Sequence, residues 1–74
     1  MTLRSLNRHL GWKLPLDGPK TVNGLVMERL EQIPQPGRQI EIEGYLFEIT
    51  ETRANAVKDA RITPSGQAGS TIAA

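Results

Sequence analysis

The sequence predicts a small α+β domain in which two helices precede a mainly antiparallel sheet. Three observations lead to this fold class. Two stretches carry apolar residues at helical spacing, a turn rich in proline and glycine follows them, and apolar residues then alternate with glutamates. A chain of 74 residues forms one domain at most, and it buries only about 60% of its extended surface.

The first predicted element is a short helix over residues 2–10. Leu3, Leu6 and Leu10 recur at helical spacing with polar residues between them. Gly11 follows, and glycine readily adopts the left-handed conformation that ends a helix.

An extended segment, Trp12–Leu16, is predicted to follow. Its apolar residues alternate with Lys13 and Pro15, and the proline excludes a central strand. We expect Trp12, Leu14 and Leu16 to insert into the core.

The second helix is predicted over residues 22–33, after a turn at Asp17–Pro19. Thr21 is the expected N-cap, and Pro34 stops the helix. Gly24 inside the first turn indicates close packing against another backbone. The apolar stripe of this helix is Val22, Leu25, Val26, Leu30 and Ile33.

A β-hairpin is predicted over residues 39–50, with a two-residue turn at Glu43-Gly44. This register sets Ile42 against Tyr45 and Ile40 against Phe47, which places the apolar side chains on one face. A turn over residues 52–56 and a third strand over 57–62 complete the predicted domain, which spans residues 1–62. The small, polar and glycine-rich tail, 63–74, is expected to be flexible.

The order of these elements resembles the transporter-associated domain of the CorC/HlyC family. The segments that carry the resemblance are LN..LGWKLP, TVNGLVMERLEQIP and G..IEIEGYLFEI, within Leu6–Ile62. Two departures stand out. Ala56-Val57 and Ala60 replace the family's usual Arg-Ile and valine, so we expect a looser or bulged last strand. Members usually carry a strand just before the first helix, and we expect this edge strand to be missing here.

The resemblance implies a fold similar to the FAD-binding/transporter-associated domain-like fold. It also implies the C-terminal domain of membrane proteins that carry a transmembrane domain and a pair of CBS domains, and that act in magnesium and cobalt efflux or resistance. We therefore expect a soluble piece on the cytoplasmic side of the inner membrane. Its expected partners are the neighbouring CBS and transmembrane domains or a second protomer, without direct membrane insertion.

The interaction candidates are one aromatic and two apolar side chains. Trp12 could mark an interface rather than the core, and Met27 lies on the flank of the second helix. Leu46 is predicted on the face of the hairpin that points away from the core. Protein–protein contact through such groups is the predicted mode of action.

The alternative is a small-ligand sensing module for a divalent cation or an adenine or flavin nucleotide. Glu41, Glu43 and Glu48 lie on the predicted polar face of the hairpin, and carboxylates are the ligands that hard cations prefer. A charged solvated face would look the same. FAD is suggested only by the fold similarity, and the sequence has no GxGxxG motif. We expect no required cofactor.

Composition argues against other classes. The chain has no cysteine, and its single histidine, His9, lacks a partner in any recognisable catalytic motif, so we expect no enzyme activity. The net charge of +1, without a run of basic residues, does not favour nucleic-acid binding.

Overall fold

Two helices and four antiparallel strands form the described part of the chain, residues 2–74, in a computed structural model. The helices are α1 (Leu3–Leu10) and α2 (Val22–Leu30). The strands are β1 (Gln39–Ile42), β2 (Tyr45–Arg53), β3 (Ala56–Pro64) and β4 (Ser70–Ala73), arranged in the sheet in chain order. This confirms the α+β fold class. At eight and nine residues, the two described helices are too short and too polar to span a bilayer.

Local side chains set the ends of α1. The Thr2 hydroxyl accepts a hydrogen bond from the Ser5 N–H at 3.1 Å, and Gly11 closes the helix in the left-handed region with φ of 68°. The glycine cap confirms the prediction. Leu10, however, is 41% exposed, because the apolar face of this short helix ends at Leu6.

The predicted start of α2 is right and its predicted end is wrong. The Thr21 hydroxyl caps the helix by accepting from the Gly24 N–H at 3.1 Å. The helix ends at Leu30 because Glu31 adopts a left-handed φ of 55°, and Pro34 also disfavours helical geometry at the residue before it. Ile33 therefore leaves the predicted apolar stripe and is 64% exposed.

The close neighbour of Gly24 is a side chain rather than the expected backbone. A Cβ at this position would lie 3.1 Å from the Pro19 Cβ and 3.2 Å from the Thr21 hydroxyl oxygen. The turn before α2 thus folds back onto the first turn of the helix. The absence of a side chain at Gly24 leaves space for this contact.

The register of the β1–β2 hairpin is the one predicted. Ile42 pairs with Tyr45 and Ile40 with Phe47. Glu43 and Gly44 form the two-residue turn with φ values of 47° and 86°, the positive angles that such turns require.

The pairing of β2 with β3 contains the expected irregularity. The register shifts between Ile49 and Glu51 and again between Glu51 and Thr52. The prediction of a bulged last strand is therefore confirmed at this end of β3. β3 is also longer than the predicted range of 57–62 and extends past it at both ends.

A fourth strand, β4, lies where the composition predicted a flexible tail. Ser70–Ala73 pairs with Asp59–Ile62 of β3, and Ile72 and Ala74 pack against the core. The prediction of an unstructured segment is wrong for these residues, because the exposed edge of β3 supplies backbone partners that the tail could not supply for itself.

The core lies on one face of the sheet, under both helices. Its buried members are Leu3, Leu6, Leu14, Val22, Leu25, Val26, Leu30, Ile42, Phe47, Ile49, Val57, Ala60 and Ile62. Of the three residues predicted to anchor the extended segment, Leu14 is buried, Trp12 is half-buried and Leu16 is 49% exposed. Leu16 misses the core because the chain bends directly after it, at Asp17-Gly18.

Candidate interaction surface

The face of the sheet opposite the helices carries an exposed leucine near the hairpin turn. Leu46 pairs with Glu41 of β1 on one side and with Thr63 of β3 on the other. It is 38% exposed, although it belongs to a strand with neighbours on both sides. The prediction that Leu46 points away from the core is confirmed, and no helix of residues 2–74 covers it.

A shallow cavity of about 380 Å³ lies beside Leu46, between the hairpin turn and the turn that joins β3 to β4. Glu41, Gly44 and Thr63 line it together with residues 64–68. This shallow depression beside Leu46 has room for a protruding side chain of another protein.

Charged residues surround this apolar centre. Glu48 lies between Gln39 of β1 and Arg61 of β3 in the strand register, and Arg61 lies next to Thr71 of β4. Both signs of charge are thus present on the same face. Apolar centres with polar, charged rims are typical of protein–protein contact surfaces. We call this face, centred on Leu46 and bordered by Glu41, Glu48 and Arg61, the outer face.

Trp12 makes its contacts within the domain. Its ring packs against Tyr45 with the ring centroids 5.6 Å apart and the planes at 51°. The Tyr45 hydroxyl accepts a hydrogen bond from the Lys13 N–H at 2.7 Å. Together these contacts fasten the extended segment to the turn end of the hairpin.

The three predicted interaction residues do not form one surface. Trp12 packs against the core, and Met27 is half-buried on α2. Both belong to the helix side of the sheet, whereas Leu46 lies on the outer face. Only Leu46 is the centre of an exposed surface.

The three predicted metal ligands are not brought together either. Glu41 and Glu48 both lie on the outer face as diagonal neighbours, since Glu41 pairs with Leu46. Glu43 lies in the hairpin turn, outside the strand. Within residues 2–74, no three histidine, aspartate or glutamate side chains lie close enough to hold one ion.

Two asparagines have structural roles that sequence reasoning missed. The Asn7 side-chain amide donates to the Leu14 carbonyl at 3.1 Å and accepts from the Leu14 N–H at 2.9 Å. The Asn23 side-chain oxygen accepts from the Val57 N–H at 2.9 Å and so ties α2 to the start of β3. Neither bond follows a helical or strand repeat, so periodicity could not reveal them.

Comparison with known proteins identifies the family. The model of the CorC_HlyC transporter associated domain matches residues 1–66. The chain belongs to this family. The match ends in the turn after β3, so β4 lies beyond it.

Similar proteins are UPF0053 proteins, which are much longer. One from Haemophilus influenzae is 42% identical over 60 residues, which are 81% of this chain and 14% of that protein. The UPF0053 inner membrane protein YfjD of Escherichia coli is 36% identical over 62 residues, 84% of this chain and again 14% of the relative. The transporter-associated domain thus spans about one seventh of the length of these relatives.

Solved structures share the fold. A crystal structure of a conserved protein of unknown function from Haemophilus influenzae matches with a TM-score of 0.80 and 40% identity, over 85% of this chain and 78% of the other. A conserved domain from Neisseria meningitidis matches with a TM-score of 0.69 and 27% identity, over 86% and 87%.

Proposed function

We propose that this transporter-associated domain is a non-catalytic accessory domain of a larger CorC-like membrane protein. In this proposal the parent protein acts in divalent-cation transport or resistance, with magnesium or cobalt as the cation. The domain modulates it by protein–protein contact on the cytoplasmic side of the membrane. Family membership and the name of the E. coli relative, an inner membrane protein, support this assignment.

The observation that carries the proposal is the exposure of Leu46 on a strand that is paired on both sides. When a partner covers an apolar side chain in that position, apolar surface is removed from water and the free energy of binding becomes more favourable. The surrounding charges of both signs favour a protein partner, since they can pair across an interface and set its orientation. A neighbouring CBS or transmembrane domain, or the same domain of a second protomer, is the proposed partner.

A contact of this kind regulates by differential binding. If the outer face docks in only one conformation of the parent protein, docking favours that conformation. Transport activity then changes without any chemical step in this domain. The domain needs neither a cofactor nor a catalytic residue for this role.

The test replaces Leu46 with glutamate in the full-length parent protein. We expect Leu46→Glu to alter cation efflux or cation resistance, because a charge at the centre of the contact must be desolvated on docking. Membrane levels of the protein should stay at the wild-type level. The matched control is Ile33→Glu, which places the same charge on a more exposed apolar residue away from the outer face.

Two results would contradict the proposal. If deletion of the whole domain leaves efflux and its regulation unchanged, the domain has no regulatory role. If Leu46→Glu and Ile33→Glu have equal effects, the outer face is not the contact surface. Thermal unfolding of the isolated variants checks that both retain the fold.

A further inference from the structure

Positive charge is concentrated in the N-terminal part of the domain. Residues 1–16 contain three of the nine lysine and arginine residues and none of the eight aspartate and glutamate residues. Two of the acidic residues, Glu41 and Glu48, lie on the outer face, across the sheet from the helices. The surface of α1 therefore carries cations, whereas the opposite side of the sheet carries carboxylates.

A depression of about 380 Å³ lies between the start of α1 and the turn that precedes α2. Arg4 and Lys20 both line it, together with Leu16, which is 49% exposed. The Leu3 N–H donates to the Lys20 carbonyl at 2.8 Å and holds the two segments together. Arg8 is also exposed, one turn after Arg4 on α1. We call Arg4, Arg8, Leu16 and Lys20 the basic face.

Carboxylates close to the basic face do not neutralise its cations. Asp17 is exposed in the turn before α2, and the Glu28 carboxylate lies near Gly18, 3.6 Å from where a Cβ would stand. Within residues 2–74, however, the single ion pair joins Lys58 of β3 to Glu51 of β2. The cations of the basic face can therefore pair with an anionic partner.

The stability of α1 does not account for the charge of Arg4. The helix begins at Leu3, so Arg4 lies in its first turn, which contains no acidic residue. A cation in the first turn opposes the helix dipole, whereas an anion there is stabilising. Departures from such local rules are expected where a residue serves function. A contact outside the domain explains the charge of Arg4 better than folding does.

We propose that the basic face docks on the anionic phospholipid surface of the membrane that holds the parent protein. The inference rests on the proposed function, in which the domain acts on the cytoplasmic side of that membrane. A cytoplasmic leaflet has a negative surface potential, which attracts lysine and arginine residues held close to it. Leu16 supplies the apolar group that enters the headgroup region beside the cations.

This docking leaves the outer face directed away from the lipid. The basic face lies on the helix side of the domain, whereas Leu46 lies on the opposite side of the sheet. The carboxylates of Glu41 and Glu48 favour the same orientation, because an anionic surface repels them. The domain can thus contact the membrane and a neighbouring protein domain at the same time.

Vesicles that contain a spin-labelled lipid test both the docking and its orientation. The experiment adds vesicles of phosphatidylcholine and phosphatidylglycerol to the full chain and measures amide relaxation by NMR. Relaxation should increase several-fold more at Arg4, Leu16 and Lys20 than at Leu46. Vesicles of phosphatidylcholine with the same spin label should give no such increase. High salt should remove the effect, because it screens the charges.

Reversal of two charges tests the basic face itself. Each basic residue near an anionic surface strengthens binding about fivefold, so Arg4→Glu/Lys20→Glu should weaken vesicle binding by about 25-fold or more. The matched control, Arg38→Glu/Arg53→Glu, makes the same change in net charge at exposed residues outside the basic face. It should weaken binding by about fivefold at most. Thermal unfolding checks the fold of both variants, and Arg4→Glu should not destabilise α1, since it places an anion in the first turn.

A second pair of variants tests the apolar contribution without a change in charge. Leu16→Ser should weaken vesicle binding by about fivefold, because less apolar surface leaves water on docking. Ile33→Ser is the matched control, since Ile33 is 64% exposed and lies beyond the other end of α2. Binding of this control should equal that of the wild type.

Three results would overturn the inference. Equal losses in the two charge variants would mean that net charge alone drives binding. Stronger relaxation at Leu46 than at the basic face would mean that the opposite side meets the lipid. A stronger response of the basic face to inorganic phosphate or polyglutamate than to vesicles, at equal anion concentration, would assign it to a soluble anion or an acidic protein. The transport test of Leu46→Glu is independent of all three, so the proposed contact through the outer face is judged separately.

Discussion

Replacing Asn7 with alanine should destabilise the domain far more than its half-buried position suggests. Its amide makes both hydrogen bonds to the backbone of Leu14, at 2.9 and 3.1 Å. The Asn7 side chain thus pairs with the backbone of the extended segment in the way that a neighbouring strand would. Alanine removes both bonds and leaves a partly buried N–H and C=O without their partner.

The magnitude follows from these two groups. One intramolecular hydrogen bond contributes about 1 kcal/mol net, and a buried group left unpaired costs about 1–3 kcal/mol. Because the site is only partly buried, we take the low end for each group and expect a loss of about 2–3 kcal/mol. A domain of this size has a total stability of only about 4–11 kcal/mol.

Urea and thermal unfolding measure the effect, with Trp12 fluorescence as the signal. A loss of this size corresponds to a fall in Tm of about 10–20 °C for a domain of this length. Asn7→Asp should also destabilise at neutral pH, because the carboxylate keeps the acceptor for the Leu14 N–H but loses the donor. The control is Arg8→Ala, an exposed change on the same helix with an expected effect within about 0.5 kcal/mol. A loss in Asn7→Ala no larger than in this control would refute the reasoning.

Three further changes test single contacts by the same unfolding measurements. Tyr45→Phe removes the acceptor of the Lys13 N–H and should cost about 0.5–1.5 kcal/mol; no change in stability would show that the Trp12 packing alone holds the segment. Asn23→Ala frees the Val57 N–H beside the bulge and should cost about 1–2 kcal/mol, with faster exchange of that amide. Gly44→Ala should cost about 1–2 kcal/mol, because φ is 86° while the added Cβ meets nothing within 4 Å; a neutral effect would contradict the strain argument.

The hairpin was predictable because its pattern has only one acceptable register. Ile40 and Ile42 alternate with glutamates, and a shift by one residue would bury Glu41. The glycine at 44 then selects a two-residue turn. The capping threonine of α2 was predictable for a similar reason, since a short polar side chain stands directly before an apolar helical stripe.

The end of α2 was not predictable from the stripe. Ile33 continues the helical spacing, yet the helix already ends at Leu30 with a left-handed Glu31. Glutamate carries no conformational signal of this kind, unlike glycine. Pro34 signals that the helix must stop, but it leaves the exact position open by a turn.

One property of the interaction surface could be predicted from the sequence and another could not. The alternation of the hairpin places Leu46 opposite to the core side, and the structure confirms it. The same alternation cannot show whether helices cover one face of the sheet or both, because a leucine fits either case. The long-range hydrogen bonds of Asn7 and Asn23 were not predictable for another reason. Each joins a side chain to a backbone group that is seven or 34 residues away, respectively, and no sequence repeat indicates such a pair.

Composition alone could not predict a strand in the tail, because composition does not show the edge of β3 with which this segment pairs. Ser70–Ala73 is too short and too polar to order itself. Next to β3, however, it needs only backbone hydrogen bonds and the burial of Ile72 and Ala74. The order of β4 therefore depends on an edge that the rest of the domain already builds.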